Sequence, residues 1–229
     1  RILLDIGIAG PLAGLIVAIP VLIIGINLSK PDLLLNTRYT IHSGQATVCL
    51  DPVVVGDSYT CPSDNMLEGD SVLYLGLKYL IKGELLPAPA EMQGSAVLYW
   101  LRFFFTGHPL PIGGRDIMLD PIAMAGWAGI LVTFLNLIPV GQLDGGHVLY
   151  ALFGRKARKI LLFILIPMLA LGFIWNGWWL WAGLIYFLGR AQAEPLDQIT
   201  QLDTGRKILA GCMLVIFLLV LTPVPFIVF

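Results

Sequence analysis

Four long apolar segments dominate the pattern of hydrophobic and polar positions along the chain. They cover residues 6–28, 121–143, 160–189 and 208–229, and none of them contains a formal charge. A helix needs about 20 consecutive apolar residues to cross a bilayer core of about 30 Å. The pattern therefore predicts an all-α integral membrane protein, organised as a polytopic helical bundle in contact with the lipid bilayer.

The third segment is too long for one upright helix, because 30 residues would measure about 45 Å. Asn176-Gly177 near its middle is a turn signal. Basic residues precede the segment and follow it, and Lys and Arg favour the cytoplasmic side of a membrane. We therefore expect a transmembrane hairpin in 160–189, with a single long tilted helix as the alternative.

The same charge bias predicts four regions along the chain. Residues 1–28 form a first transmembrane segment, and 29–120 an exterior loop. Residues 121–159 form a broken transmembrane helix, and 160–229 the C-terminal hairpin and last span. Within the exterior loop, 71–86 and 94–107 are expected to form interfacial or re-entrant helices, or simply to cap the bundle.

Three cysteines add little to this picture. Cys49 and Cys61 both lie in the expected exterior loop, where a disulfide and two free thiols remain open alternatives. Cys212 lies inside the last apolar segment and is expected to be a small packing residue. The 49–70 stretch is rich in Asp, Pro, Ser and Gly, so it is expected to form loops and turns.

Composition agrees with a membrane protein and excludes several other classes. Of 229 residues, 57% are hydrophobic and 13% are charged, against roughly 25% charged in soluble domains. A disordered chain, a collagen-like fibre and a typical cytosolic enzyme are therefore excluded. The formal net charge is −1, so there is no basic field to attract nucleic acid, and that partner class is set aside. The oligomeric state is left open.

One motif at the end of the second apolar segment carries candidate chemistry. It runs Asn136-Leu-Ile-Pro139-Val-Gly-Gln-Leu143-Asp144-Gly145-Gly146-His147. An ionisable residue at membrane depth is costly and is a functional candidate by default. Pro139 removes a backbone donor, and the two glycines permit unusual dihedral angles, so the helix is expected to break here. A carboxylate on an opened backbone suits a metal ligand, a cation site or a proton relay.

The spacing N-x-x-P-x-x-x-L-D-G-G resembles the second signature of the site-2 protease family of intramembrane zinc metalloproteases. The early stretch from Asp5 to Gly14 resembles a transmembrane segment of the same family. The resemblance implies hydrolysis of membrane-protein substrates in or near their transmembrane segments, with Zn²⁺ as cofactor. It also implies the following roles: Asp144 as third zinc ligand, Asn136 as a polar residue that holds the substrate strand or an oxyanion, and Pro139, Gly145 and Gly146 as residues that shape the break.

The family's other signature, H-E-x-x-H, is not present in the sequence. That motif supplies two zinc ligands and the general base. We expect it upstream of Arg1; the alternative is a catalytically inactive member that acts as a structural or regulatory membrane subunit. A transporter that uses Asp144 as a cation or proton site ranks last. A bacterial plasma membrane is the expected location, and a chloroplast membrane is the alternative.

The three histidines carry weaker signals. His147 is three residues after Asp144, so both side chains could face one site if the helix resumes directly. We favour instead an interfacial histidine near the basic cluster that follows. His42 and His108 have no partner motif and are expected to be surface or turn residues. Gly10 and Gly14 form a G-x-x-x-G pair that is expected to serve close helix packing.

Overall fold

The computed structural model describes residues 2–33, 53–55, 58–60, 66–89, 94–107, 115–188 and 202–228. These residues are mostly helical, in agreement with the predicted helical architecture. The prediction of an all-α chain missed six short strands. Each strand pairs with one antiparallel partner, so the strands form three two-stranded sheets among the described residues.

The helices and strands follow one another along the chain in this order. The helices are α1 (Ile2–Leu28), α2 (Val72–Lys82), α3 (Ala96–Thr106), α4 (Pro121–Leu137), α5 (Asp144–Phe153), α6 (Ala157–Leu171), α7 (Gly177–Leu188) and α8 (Thr204–Val220), with a 3-10 turn at Gly154–Lys156. The strands are β1 (Lys30–Leu33), β2 (Val53–Val55), β3 (Ser58–Thr60), β4 (Met66–Glu68), β5 (Arg115–Met118) and β6 (Phe226–Val228). The sheets pair β1 with β5, β2 with β3 and β4 with β6.

Helices α1 and α4 form the centre of the bundle and run antiparallel. Small residues bring their backbones together, because a methyl group added to Gly129 would lie 2.9 Å from Cβ of Ala18. Towards the other end of the pair, Gly25 packs on the backbone of Ala123. Within the described residues, Leu3–Leu28 is the one helical stretch long and apolar enough to cross a membrane, judged by length and composition.

The remaining apolar segments differ from single straight helices. The segment 121–143 ends as a helix at Leu137, and α5 begins seven residues later at Asp144. The segment 160–189 falls into α6 and α7, which pack on each other with Asn176-Gly177 at the junction. The segment 208–229 leaves the helix after Val220 and returns as β6. Pro223 and Pro225 lie in this exit, where they cannot continue the helix.

The bundle has two distinguishable ends. The strand end holds the C-terminus of α1, the β1–β5 and β4–β6 sheets, and the junction between α6 and α7. That junction is fixed by Trp178, whose indole N–H donates to the carbonyl oxygen of Pro223 over 2.6 Å. The opposite end, called here the Asp144 end, holds the start of α1, α5 and the start of α8. There Arg206 forms a two-pronged ion pair with Asp5, at 3.0 and 2.9 Å.

The described part of the expected exterior loop contains both helices and strands. Both expected short helices are present, and Ser71 caps α2 by accepting a hydrogen bond from the Tyr74 amide over 3.2 Å. The described residues of the 49–70 stretch include β2, β3 and β4, so the expectation of loops and turns alone missed these strands. Cys49, Cys61, His42 and His108 lie outside the described residues.

The expectation for Cys212 was wrong, because its side chain is exposed. It lies on a face of α8 that points away from the other helices. The residues that share this outward face with Cys212 are Ile208, Val215 and Leu219. The helix packs instead through Ala210, Met213 and Val220, which are buried.

Candidate functional site

The candidate site begins with a break in the backbone between α4 and α5. After Leu137 the chain makes tight turns, in which the amide of Ile138 donates to the Leu135 carbonyl and the amide of Val140 to that of Ile138. Gly141 adopts a φ of 58°, a left-handed conformation that favours glycine. The helical path resumes with Asp144 as the first residue of α5. The aspartate therefore projects from the first turn of a helix beside a broken backbone.

Gly145 and Gly146 serve close packing, and the expected role in unusual dihedral angles was wrong. Both residues lie within α5, and both are buried. A methyl group on Gly145 would overlap the carbonyl oxygen of Leu137. One on Gly146 would lie 2.7 Å from the carbonyl oxygen of Val140. The two glycines therefore let the first turn of α5 fold back against the break.

The Asp144 side chain rests against the backbone of α1. A methyl group on Gly10 would lie 2.9 Å from Oδ2 of Asp144, and one on Gly7 would lie 2.8 Å from Cβ of His147. The Asp144 side chain is half-buried. None of the described residues donates a hydrogen bond to its carboxylate, nor does one form an ion pair with it. This leaves both oxygens available to a ligand from elsewhere.

Asn136 and His147 occupy different surroundings. Asn136 lies in the last turn of α4 with an exposed side chain, and the break separates it from Asp144 in sequence. His147 shares the first turn of α5 with Asp144, and its side chain is half-buried. Pro139 lies within the break and is also half-buried. The roles of Asn136, Pro139 and Asp144 in catalysis and metal binding therefore stay predictions.

The donor set for zinc is incomplete in the described part of the chain. No group of three or more His, Cys, Asp or Glu side chains there is arranged to hold a metal ion. A zinc site usually has three or four protein ligands, and carboxylate oxygen is an accepted donor. Asp144 therefore fits one ligand position of such a site, and a complete site would need ligands from residues outside those described here.

Two further residues line the approach to Asp144, and the sequence analysis did not assign them to the site. Gly7 and Gly10 form the wall of α1 against which α5 rests. The signal was present as glycines at intervals of three and four, but this spacing is read as ordinary helix packing. Thr133 of α4 is buried one turn before the break and donates from its hydroxyl to the Gly129 carbonyl over 2.8 Å.

Comparison with known proteins gives one family match. The family model described as "Peptidase family M50" matches residues 1–171. This stretch contains α1, the exterior segment, the break and α5. It thus includes every residue to which a role in the candidate site was assigned. No solved structure gives a significant match.

Several curated plant proteins are similar over part of the chain. "Probable zinc metalloprotease EGY2, chloroplastic" of Oryza sativa subsp. indica is 31% identical over 163 residues, which is 66% of this chain and 30% of the relative. The Arabidopsis thaliana protein of the same printed name is 36% identical over 115 residues, or 49% of this chain and 21% of the relative.

A third relative, "Probable zinc metalloprotease EGY1, chloroplastic" of Arabidopsis thaliana, is 29% identical over 155 residues. The match covers 66% of this chain and 28% of that relative. The chain thus matches less than a third of the length of these relatives.

Proposed function

Because the chain belongs to peptidase family M50, we propose that it forms part of an intramembrane zinc metalloprotease. The expected resemblance to the site-2 protease family is confirmed by this match. The proposed reaction is hydrolysis of peptide bonds in or near the transmembrane segments of membrane-protein substrates. The observation that carries the proposal is the Asp144 carboxylate, presented from a broken helix against an apolar membrane-length helix.

The level at which the Asp144 side chain lies against α1 supports action inside the membrane. Leu3–Leu28 contains 26 residues and is therefore about 39 Å long at 1.5 Å per residue. Gly10, which contacts the Asp144 carboxylate, lies about 10 Å from the start of that stretch by the same rise. With a hydrocarbon core of about 30 Å centred on α1, the carboxylate lies within the core and towards one side.

The surface of the bundle supports a polytopic membrane protein. Large apolar side chains are exposed on helices around the bundle, whereas a soluble protein rarely exposes contiguous apolar patches of this kind. Examples are Ile16 and Val17 on α1, Val132 on α4, Phe163 on α6, Phe187 on α7 and Val215 on α8. Lipid is the solvent that suits such a surface.

In this proposal Asp144 supplies one oxygen ligand to zinc. Asn136 holds the substrate strand or a developing oxyanion, and Pro139, Gly145 and Gly146 keep the break that directs the aspartate. Together with two further protein ligands, Asp144 would hold zinc, which would supply activation of a water molecule for attack on the peptide carbonyl. The remaining ligands and the general base belong to a part of the protein outside the described residues.

For location we propose a membrane, and the relatives bear on which one. Each of the plant relatives above carries the word chloroplastic in its name. They favour a chloroplast membrane over the bacterial plasma membrane that the sequence analysis expected first. Immunodetection in fractionated membranes of the source organism tests this choice.

The function is tested with the complete protein that contains this chain, reconstituted with a membrane-anchored substrate. We expect the wild type to bind zinc stoichiometrically and to cleave the substrate. Asp144→Asn should abolish cleavage and reduce the zinc content, because an amide is a poorer zinc ligand than a carboxylate. Asp203→Asn is the matched control, since Asp203 is an exposed aspartate at the start of α8, and it should retain both properties.

An inactive family member that serves as a membrane subunit is the alternative. It predicts a wild type that neither binds zinc nor cleaves the substrate. Undiminished cleavage by Asp144→Asn would remove Asp144 from the metal site while leaving the family assignment intact.

A further inference from the structure

A second group of ionisable residues lies at the strand end, in the segment expected outside the membrane. The ammonium of Lys78 is completely buried, 2.8 Å from Oδ1 of Asp70 and 3.8 Å from Oδ1 of Asp116. It also lies 4.5 Å from the centre of the Tyr74 ring. The Tyr74 hydroxyl donates to Oε1 of Glu68 over 2.9 Å. We call these five buried residues the Lys78 cluster.

The charges of the Lys78 cluster do not balance when every group is ionised. Three carboxylates surround a single ammonium, which leaves two negative charges in excess. All three carboxyl side chains belong to residues no more than 5% exposed. Buried charges without a partner are neutralised by proton binding rather than kept charged. Carboxyl groups that share one site likewise cannot all ionise.

One carboxylate oxygen of the cluster lacks a hydrogen-bond donor. Oδ2 of Asp116 is buried and makes no hydrogen bond. The other oxygen of the same carboxyl accepts from the Ile117 amide over 2.8 Å. A buried carboxylate oxygen without a donor is unfavourable, and the neutral carboxyl reduces this penalty.

We propose that the Lys78 cluster is a proton-binding site and that the bound proton keeps the exterior segment docked on the helical bundle. The bound species is a proton exchanged with water on the carboxyl groups, chiefly Glu68 and Asp116. Both are less closely paired with the ammonium than Asp70 is. The inference does not depend on the proposed proteolytic function, because it uses none of the residues at the Asp144 end.

The strands that carry the cluster also hold the exterior segment on the bundle. Binding of a proton to the cluster therefore affects these docking contacts. Glu68 belongs to β4, which pairs with β6 after α8. The next residue, Gly69, donates to the Pro225 carbonyl over 2.6 Å and accepts from the Trp127 indole of α4 over 2.9 Å. Asp116 belongs to β5, which pairs with β1 directly after α1. Repulsion among the carboxylates would therefore separate α2, β4 and β5 at the point where they contact the bundle.

The electrostatic surroundings support the same assignment. Burial raises the pKa of Glu68 to about 8, although Lys78 lowers it. Burial likewise raises the pKa of Asp70 to about 7 against the effect of Lys78, and it raises that of Asp116. Burial alone would lower the pKa of Lys78, but the surrounding carboxylates raise it overall, so this residue stays charged.

The helices packed at the cluster contribute Lys78 and two tyrosines. Helix α2 contributes Lys78 and Tyr74, whose pKa is raised by burial. Helix α3 contributes Tyr99, whose pKa burial raises to about 12. Both tyrosines therefore stay neutral in the relevant pH range. The carboxyls of Glu68 on β4, Asp116 on β5 and Asp70, two residues before α2, remain as the proton carriers.

The direction of the pH effect follows from these shifts. The carboxyl pKa values are near 4 in the open form and higher in the docked form. The docked form therefore holds protons that the open form releases. Docking is therefore fully stabilised below about pH 4 and weakens as the pH rises to about 8, where the docked form has also lost its protons. Each such proton makes the equilibrium constant for local opening rise about tenfold per pH unit inside this window.

The test is hydrogen exchange of the complete protein in lipid nanodiscs, with protection factors corrected for the intrinsic effect of pH. In the wild type, α2, β4 and β5 should open at least tenfold more between pH 5.5 and 7.5, while α1 and α4 should not change. The double variant Glu68→Gln and Asp116→Asn should lose most of this pH dependence, because Asp70 is then the only carboxyl left in the Lys78 cluster. Glu84→Gln is the matched control, because Glu84 is a partly exposed carboxylate paired with Arg115 on the same segment.

Three outcomes would overturn the proposal. The first is a wild type with no pH dependence, and the second is a double variant with the full pH dependence of the wild type. The third is opening that responds at fixed pH and ionic strength to the identity of Na⁺, K⁺ or Ca²⁺, which would assign the cluster to a metal cation. If the double variant does not fold, Glu68→Gln alone should still reduce the pH dependence, and an unchanged slope counts against the proposal.

Discussion

Gly10 of α1 and Asp144 of α5 lie so close that a methyl group on Gly10 would be 2.9 Å from Oδ2 of the carboxylate. The approach is possible because glycine has no side chain, and it fixes one boundary of the space that the carboxylate can occupy. The position of a proposed metal ligand therefore depends on a residue far away in sequence that has no chemistry of its own.

Gly10→Ala should displace the Asp144 carboxylate and weaken zinc binding. Changes that misplace a metal ligand through a neighbouring residue typically reduce metal affinity or activity about 10- to 100-fold. The first measurement is the zinc affinity of the complete protein, determined by competition with a chelator. The second is the absorption spectrum of the Co²⁺-substituted protein. A changed Co²⁺ spectrum would report altered ligand geometry rather than general destabilisation.

Gly14→Ala is the control for packing on the same helix, because its methyl group would lie 2.8 Å from Oγ1 of Thr133 and away from Asp144. It should lower stability by about 1–3 kcal/mol, as overpacking does, and leave zinc affinity unchanged. Equal zinc affinities for wild type and Gly10→Ala would contradict the positioning role while leaving the proposed function standing.

Gly146→Ala should destabilise the break between α4 and α5. Its methyl group would lie 2.7 Å from the Val140 carbonyl oxygen, and that oxygen belongs to backbone that cannot move without shifting the turn. We expect a loss of about 1–3 kcal/mol, measured by thermal unfolding in detergent. Gly183→Ala on α7 has open space around the added methyl and should unfold like the wild type; equal losses in both variants would contradict the packing role.

Lys78→Met should destabilise the protein strongly, because it leaves the Asp70 carboxylate buried without its partner. Removing one member of a buried ion pair typically costs about 3–5 kcal/mol. Chemical denaturation monitored by tryptophan fluorescence measures the loss. Lys207→Met removes an exposed lysine of α8 and should change stability little. A Lys78→Met protein as stable as the wild type would show that the ammonium is not buried as described.

Trp178→Phe should loosen the α6–α7 hairpin. The indole N–H donates to the Pro223 carbonyl oxygen over 2.6 Å, and the side chain is buried. Phenylalanine keeps the ring contact with Phe134 and leaves the carbonyl unpaired, at a cost of about 1–3 kcal/mol. Trp179→Phe, at a 42% exposed position, should cost less. A protease-protection assay at the hairpin junction measures the loosening, and we expect faster cleavage of Trp178→Phe than of Trp179→Phe. Faster cleavage of Trp179→Phe would contradict the prediction.

The sequence by itself determined which parts of the chain are helical and where the second apolar segment breaks. Apolar runs without charges favour helices wherever the chain is shielded from water, and Pro139 cannot continue one. The same local signals placed Asn176-Gly177 at the junction of α6 and α7. The motif around Asp144 was likewise sufficient to indicate the family, which the match to residues 1–171 confirms.

Only the tertiary structure decided what surrounds the ionisable residues. The sequence predicts an interfacial, re-entrant or capping helix over 71–86 and does not predict a buried ammonium, yet Lys78 is buried against the carboxylates of Asp70 and Asp116. The β4–β6 pairing joins Met66–Glu68 to Phe226–Val228, which are far apart in the sequence. The Gly10 contact with Asp144 also joins separate helices. Such contacts follow from how backbones pack in space, because a residue's burial and partners depend on neighbours that local periodicity does not specify.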